Sequence, residues 1–431
     1  MTTSLHDRLA ALADDAPPGG PAPGLWDRGR RVARRRRAGT AVIAAVVVLA
    51  LGALGALDWS LSRPELAPTD TDALPAEMRL PDHFYEPTHR LPGTEGHPIG
   101  PLVAVLGGDR AGQELNGIAG VSAETGEYRY LDLPGYVDGH YLSPDGAQLA
   151  YWYGVPATGD QMDDGVDGLA VYDTVTGDVA RFPLESEHGV YAEGAAWVGD
   201  RIWFGYQRYS TAERRSTTGV EQVVWNPVTQ EHREKSGPAL PAFNLAYGNN
   251  GVLQVAAGRR VELWSADEVS RTRTFRIPRS VDGPAWPSPS GERSVVMADP
   301  DGQATAPGEP AAVLVMRTAD PTHVDVTPVP GTEVSGVVGW RDERHVVVLD
   351  QDGSYSSVDV ETGASQPLTT VDEGAYWDPR LEVALDAWSA PTYDAPAPQD
   401  PPSPLVVGGI ALLVLAAGAT AALQWRRRVR A

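Results

Sequence analysis

Two kinds of tight turn alternate along most of this chain, and that alternation limits the fold more than any other feature. The clearest unit runs from Tyr141 to Leu184. It holds the turn Ser143-Pro144-Asp145-Gly146, the apolar run Leu149 to Tyr153, a Gly- and Asp-rich loop, and the run Leu169 to Asp173. A second turn at Val175-Thr176-Gly177-Asp178 leads into Val179 to Leu184. β-Branched and aromatic residues between residues that supply unusual φ or local hydrogen bonds predict four short strands joined by hairpins.

Degenerate copies of both turns follow. A turn precedes an apolar strand at Gly199-Asp200, Asn250-Gly251, Ser290-Gly291, Asp342-Glu343 and Asp378-Pro379. The other kind follows a strand at Ala123 to Gly126, Asp173 to Gly177, Asn226 to Thr229, Ser265 to Asp267, Thr318 to Asp320 and Val360 to Gly363. The spacing of roughly 45 to 50 residues matches four-stranded propeller blades. The repeats open with a hairpin of the second kind (116–133) and end with one of the first (375–388). Pairing of those two would complete one blade and leave no open edge. The expectation is an all-β propeller of six blades over residues 82–389. A seventh blade, with Leu102 to Leu106 used independently, is the alternative.

Ser143-Pro144-Asp145-Gly146-Ala147-Gln148-Leu149-Ala150-Tyr151 resembles the repeat of TolB-type, WD40-like (PD40) β-propellers. Ser288-Pro289-Ser290-Gly291-Glu292-Arg293-Ser294-Val295-Val296 is similar, with Ser290 where the motif carries Asp. The remaining copies keep only the turn-then-strand pattern. The layout also resembles membrane-anchored propeller proteins of actinobacteria, in which an opening like Leu5-x3-Leu9 with Ala13 to Pro17 leads to Leu25-Trp26 and an arginine run. That resemblance implies a topology rather than an activity. Asp145, Gly146, Ser290 and Gly291 are read as turn-shaping residues.

Two stretches without charge flank the repeats. Residues 38–57 follow Arg34, Arg35, Arg36 and Arg37; residues 405–425 precede Arg426, Arg427 and Arg428. About 20 apolar residues form a helix of about 30 Å, the thickness of a bilayer's hydrocarbon. Arginine clusters mark the cytoplasmic side, and Trp59 and Trp425 stand where aromatic belts hold a span. The reading is a two-pass plasma-membrane protein with a basic head (1–37), a basic tail (426–431) and an extracytoplasmic middle. Pro-rich stretches at 62–81 and 390–404 are expected to be extended stalks.

The formal net charge is −22, and the arginine-rich ends each carry +4, so residues 40–425 carry −30. Such a domain repels nucleic acid. Cysteine is absent, which excludes disulfides, thiolate metal sites and cysteine nucleophiles. No Gly-x-Ser-x-Gly, phosphate-binding loop or His-Glu-x-x-His occurs. Asp160, Asp163, Asp164 and Asp167 share a loop and are weak candidates for Ca²⁺ through oxygen ligands, but Met162 interrupts an EF-type pattern. Asp82, His83, His89 and His97 fit no zinc spacing. Leu5, Leu9 and Leu12 share a helical face, so residues 1–25 offer a cytoplasmic partner a docking stripe, and the arginines offer contacts to anionic lipid. The functional expectation is a non-catalytic binding module without cofactor, its partner an envelope protein, peptide or glycan. A sigma-factor-linked transmembrane sensor and a propeller hydrolase using loop carboxylates are the alternatives.

Overall fold

A computed structural model describes residues 14, 77–110, 117–155, 165–235, 245–249, 252–265, 270–281, 285–298, 311–317, 326–372, 381–398, 401, 418–420, 422–424 and 426–427. The chain divides into two compact units, residues 1–72 with 401–431, and residues 73–400. In the first unit, residues 14, 418–420, 422–424 and 426–427 are helical. The predicted first span, Trp59, Trp425 and the stripe of Leu5, Leu9 and Leu12 lie outside the described residues, as does most of the second span. Among the described residues no helix is long and apolar enough to cross a membrane.

The second unit is all-β, with several antiparallel sheets consistent with a β-propeller. After two short strands, β1 (Leu80–Pro81) and β2 (His83–Phe84), come β3 (Leu102–Gly108), β4 (Gly117–Ser122) and β5 (Tyr128–Tyr130). The expected blade follows as β6 (Tyr136–Leu142), β7 (Gln148–Val155), β8 (Gly165–Asp173) and β9 (Val179–Pro183). Its first strand starts at Tyr136, ahead of the expected start, because the bulges between Tyr136 and His140 let a Gly-containing segment pair with β7. Next come β10 (Val190–Val198), β11 (Arg201–Arg208), β12 (Glu221–Trp225) and β13 (His232–Lys235), then β14 (Leu245–Asn249), β15 (Val252–Ser265) and β16 (Ser270–Val281). β17 (Trp286–Pro287), β18 (Arg293–Ala298), β19 (Ala311–Arg317) and β20 (Val326–Val334) form a further meander. The last comprises β21 (Gly336–Trp340), β22 (His345–Leu349), β23 (Tyr355–Asp359) and β24 (Ser365–Val371). β25 (Glu382–Val383), a 3₁₀ turn (Leu385–Ser389) and β26 (Thr392–Tyr393) end the unit.

The two ends of the repeats do pair, but through a strand that lies ahead of the expected 116–133 hairpin. Glu382 and Val383 of β25 lie opposite Val105 and Ala104 of β3. Leu102–Gly108 therefore belongs to a sheet with β4, β5 and β25. Leading strands of successive meanders are neighbours: β6 with β10, β10 with β14, β14 with β17, and β17 with β21. β25 lies against β6, and the 3₁₀ turn that follows β25 packs on β21.

Burial explains why the strands read as they do. β3 and the middle of β7 are buried on both faces, so their sequences are continuous apolar runs rather than alternations. Packing between meanders supplies that burial. Trp152, Phe204 and Trp225 fill the space between the second and third meanders, with Trp152 edge-on to Phe204 at 5.7 Å. Trp203 and Trp264 meet at 6.1 Å between the third and fourth. Val261, Phe275, Val296 and Leu314 join the fourth to the fifth, and Val295, Val313, Val346 and Val348 join the fifth to the sixth. Val105, Tyr151, Val347 and Trp388 belong to one cluster at the junction of the chain's first and last strands. β24 is covered by β2, which pairs with it in parallel. The outermost strands differ from the core, since β9 is largely exposed or half-buried and β13 reads His-Arg-Glu-Lys. Charged outer edges discourage strand addition by other molecules.

The stalk prediction needs correcting at both inner ends. Leu80 and Pro81 pair in parallel with Thr392 and Tyr393, and Leu80 is fully buried. Leu80 N–H donates to Pro391 O at 3.0 Å and Asp82 N–H to Tyr393 O at 2.9 Å. Proline removes its own donor only, so the remaining amides and carbonyls of a Pro-rich segment still build a short ladder.

Candidate functional site

The turns position everything at the candidate site. In the first motif copy Ser143 Oγ donates to Asp145 Oδ1 at 2.6 Å, and the Ala147 amide donates to the same carboxylate at 3.0 Å. The Gln148 amide donates to Ser143 Oγ at 2.9 Å. Gly146 adopts φ 71°, a conformation that favours glycine. Its carbonyl accepts from Leu102 N–H at 2.8 Å and Thr174 Oγ–H at 3.1 Å, and Pro144 O accepts from Asp386 N–H at 3.0 Å. The turn thus ties the second meander to the first strand of the repeats and to the segment after the last.

The second copy solves the same problem with different residues. Gly291 has φ 75° and its amide donates to Ser288 O at 2.8 Å. Ser290, standing where the motif has Asp, donates through Oγ to Glu343 Oε2 at 2.8 Å, and its amide donates to the same carboxylate. The carboxylate missing from the turn is supplied by the turn of the next meander.

Turns of the other kind share one network. Asp173 Oδ1, Asn226 Oδ1 and Asp359 Oδ1 each accept the amides two and three residues on, at 2.8–3.1 Å. Ser122 Oγ does so at 3.3 Å. The fifth residue takes a left-handed φ: Gly126, Gly177, Gln230 and Gly363. These are the Asx-type turns that Asp, Asn and Ser favour. The copies beginning at Ser265 and Thr318 extend beyond the described residues.

Where turns of the first kind converge there is a cavity of about 420 Å³. Its wall takes Pro144 from the β6–β7 turn, Trp286, Pro287 and Pro289 from β17 and its turn, and Gly339 to Glu343 from β21 and its turn. Leu385, Asp386 and Ser389 come from the 3₁₀ turn. Trp340 is nearly buried, and its Nε1–H donates to Trp286 O at 2.9 Å. Trp197 makes the equivalent bond three meanders earlier, donating to Tyr141 O at 2.8 Å. A tryptophan near the end of a leading strand thus clasps the leading strand of an earlier meander.

The charges on this wall have different surroundings. Asp342 accepts the Arg344 amide at 2.8 Å, and the His345 amide and Nδ1 at 2.9 Å. Burial raises its carboxyl, but those hydrogen bonds outweigh it and hold the group below the usual range. Glu343 is bound to Ser290. Asp386 carries no hydrogen bond or ion pair on its carboxylate among the described residues, nor does the Arg341 guanidinium. Desolvation, then the charge of Asp145, pushes the Asp386 carboxyl upward.

Of the four aspartates weighed as oxygen ligands, Asp167 is the one that falls within the described residues. Asp167 lies within strand β8 rather than in the loop, where strand pairing continues to Gly165; its side chain is exposed and its carbonyl accepts from Leu184 N–H at 2.8 Å. Asp160, Asp163 and Asp164 lie outside the described residues. Among the described residues no three His, Asp or Glu side chains gather as metal ligands. The residues at the start of the domain are held separately: His83 sits between Thr370 Oγ1 at 2.6 Å and Asp372 Oδ1 at 2.9 Å. His89 Nδ1 meets Asp109 O at 2.9 Å, and Asp82 Oδ1 accepts the Ala395 amide at 3.0 Å. These bonds tie the segment to the sheets.

No model of a known protein family matches the chain, and no curated protein matches it. Similar solved structures include one from the mitotic checkpoint complex (TM-score 0.35, 13% identity, 55% of this chain and 68% of that one). Another is a eukaryotic initiation factor (0.35, 14%, 61% and 61%). A third is Kuenenia stuttgartiensis hydrazine synthase (0.31, 15%, 53% and 57%), so the chain spans little more than half of that structure's length.

Proposed function

We propose that the chain is a membrane-anchored, extracytoplasmic six-bladed β-propeller that acts as a non-catalytic binding module for a protein or peptide of the cell envelope. The observation that carries the binding reading is the cavity at the converging turns. Aromatic and proline surface meets two side-chain charges there, Arg341 and Asp386, that have no partner among the described residues. Apolar walls with a few placed polar groups are what ligand sites consist of. Support for the ring comes from the succession of neighbouring leading strands and the β25–β3 pairing. Support for the anchoring comes from the two charge-free stretches and their arginine clusters.

A photo-crosslinking amino acid at Ser389, on the cavity wall, tests the site in the full chain in its own membrane. Val228, 75% exposed on a different turn, provides the control position. A defined adduct from Ser389 and none from Val228 is expected; equal labelling, or none at Ser389, would end the reading. Reporter fusions at Gln399 and Ala431 test the anchoring, since they must report opposite sides of the membrane.

A further inference from the structure

We infer that the cavity receives an extended, proline-containing peptide segment bearing a basic side chain. This rests on the reading of the cavity as a binding site, and names its occupant. Of the charges on the wall, Asp342 and Glu343 already hold His345 and Ser290. Arg341 and Asp386 remain, and they are not paired with each other. An occupant must therefore bring an acceptor for a guanidinium, a cation for a carboxylate, and apolar surface for the indole and proline faces.

Trp286 and Trp340 stand with Pro287 and Pro289 on one part of the wall. Aromatic-lined grooves suit polyproline II segments, which are preformed, present apolar rings and leave their carbonyls without internal partners. Those carbonyls are acceptors for Arg341. A lysine or arginine on the same segment supplies the cation for Asp386 and gains from nearby indole faces. The net charge of −30 over residues 40–425 favours a basic partner at long range. The volume, about 420 Å³, holds a few residues and not a folded domain.

The test uses the full chain in detergent micelles and three probes: a labelled ten-residue peptide alternating proline with arginine, the same peptide with glutamine for arginine, and an N-acetylated amino-sugar tetrasaccharide. The arginine peptide is expected to bind at least tenfold more tightly than the glutamine peptide. Asp386→Asn should abolish that preference while keeping a cooperative unfolding transition that is not lowered. Arg341→Ala should weaken both peptides by a similar factor. General attraction to an acidic surface would survive the loss of one carboxylate, so a preference retained in Asp386→Asn overturns the inference. Binding of the tetrasaccharide, with its loss in Trp286→Ala, would also overturn it while leaving the cavity as a binding site. If no probe binds, the inference fails, and the Ser389 cross-link decides separately whether the site itself stands.

Discussion

Gly146→Ala should be far more damaging than Gly291→Ala, although the two glycines occupy the same place in two copies of one motif. Both have φ near 70° (71° and 75°), so alanine costs about 1–2 kcal/mol at either from the left-handed conformation alone. Their surroundings differ. A Cβ on Gly146 would lie 1.9 Å from the carbonyl oxygen of Leu102, whereas a Cβ on Gly291 would meet nothing within 4 Å. Relieving the first clash moves the turn away from β3. That puts at risk the Leu102 N–H bond to Gly146 O (2.8 Å) and the Thr174 hydroxyl bond to the same oxygen (3.1 Å). At about 0.5–1.5 kcal/mol per hydrogen bond, the loss for Gly146→Ala totals about 2–5 kcal/mol. Urea unfolding of the full chain, followed by tryptophan fluorescence, measures the pair. Equal destabilisation of the two variants would refute the view that this turn is a joint between meanders and not merely a local bend.

Other consequences are open to measurement. Ser290→Asp, which restores the motif residue, should destabilise the chain by placing a second carboxylate against Glu343. Combining it with Glu343→Ser should recover most of the loss, a non-additivity read from a double-mutant cycle; simple additivity would count against the shared carboxylate. Trp340→Phe keeps one aromatic ring but removes the donor to Trp286 O along with part of the buried indole, and should cost at least about 1 kcal/mol in urea unfolding. Hydrogen bonds from Arg208, against desolvation, and from Tyr206 hold the Glu221 carboxyl below its usual range. Its contribution is therefore present above the unfolded-state pKa and lost as pH falls through the lower folded value. Glu221→Gln should be less stable than the parent at neutral pH and converge with it in acid. Asp386 has the opposite sign, because its folded pKa is raised: its contribution is fully present below the unfolded pKa and lost as pH rises through the folded one. Asp386→Asn should raise the melting temperature at neutral pH, with the gain vanishing in acid.

How far these features could be read from the sequence depended on how local they are. The Asx-type turns were legible because donor, acceptor and left-handed residue all lie within six positions, as in Asp173 to Asp178. The blade of β6 to β9 was legible because β7 and β8 are apolar runs bounded by such turns. Non-local features were not. The indole donation from Trp340 to Trp286 O crosses between meanders, and nothing in either strand announces it. Asp342-Glu343 read as a turn before a strand, yet Glu343 completes another turn more than fifty residues earlier. The cavity wall draws on positions from Pro144 to Ser389, and only the folded chain brings them together. The short ladder of Leu80–Pro81 with Thr392–Tyr393 was hidden by proline, whose spacing signals an extended linker whether or not its neighbours find partners.

That ladder also sets how the unit responds to force. The strands are parallel, so the chain enters along β1 and leaves along β26 in the same direction. Tension drawing the two chain ends apart along that direction loads the Leu80–Pro391 and Asp82–Tyr393 bonds together, in shear, and not one after another as in unzipping. The Asp82 carboxylate holding the Ala395 amide adds a third tie to the same load. A pull on either end of the unit meets this clamp before it reaches β3 or β25, and the seam joining the first and last repeats is thereby shielded from mechanical stress.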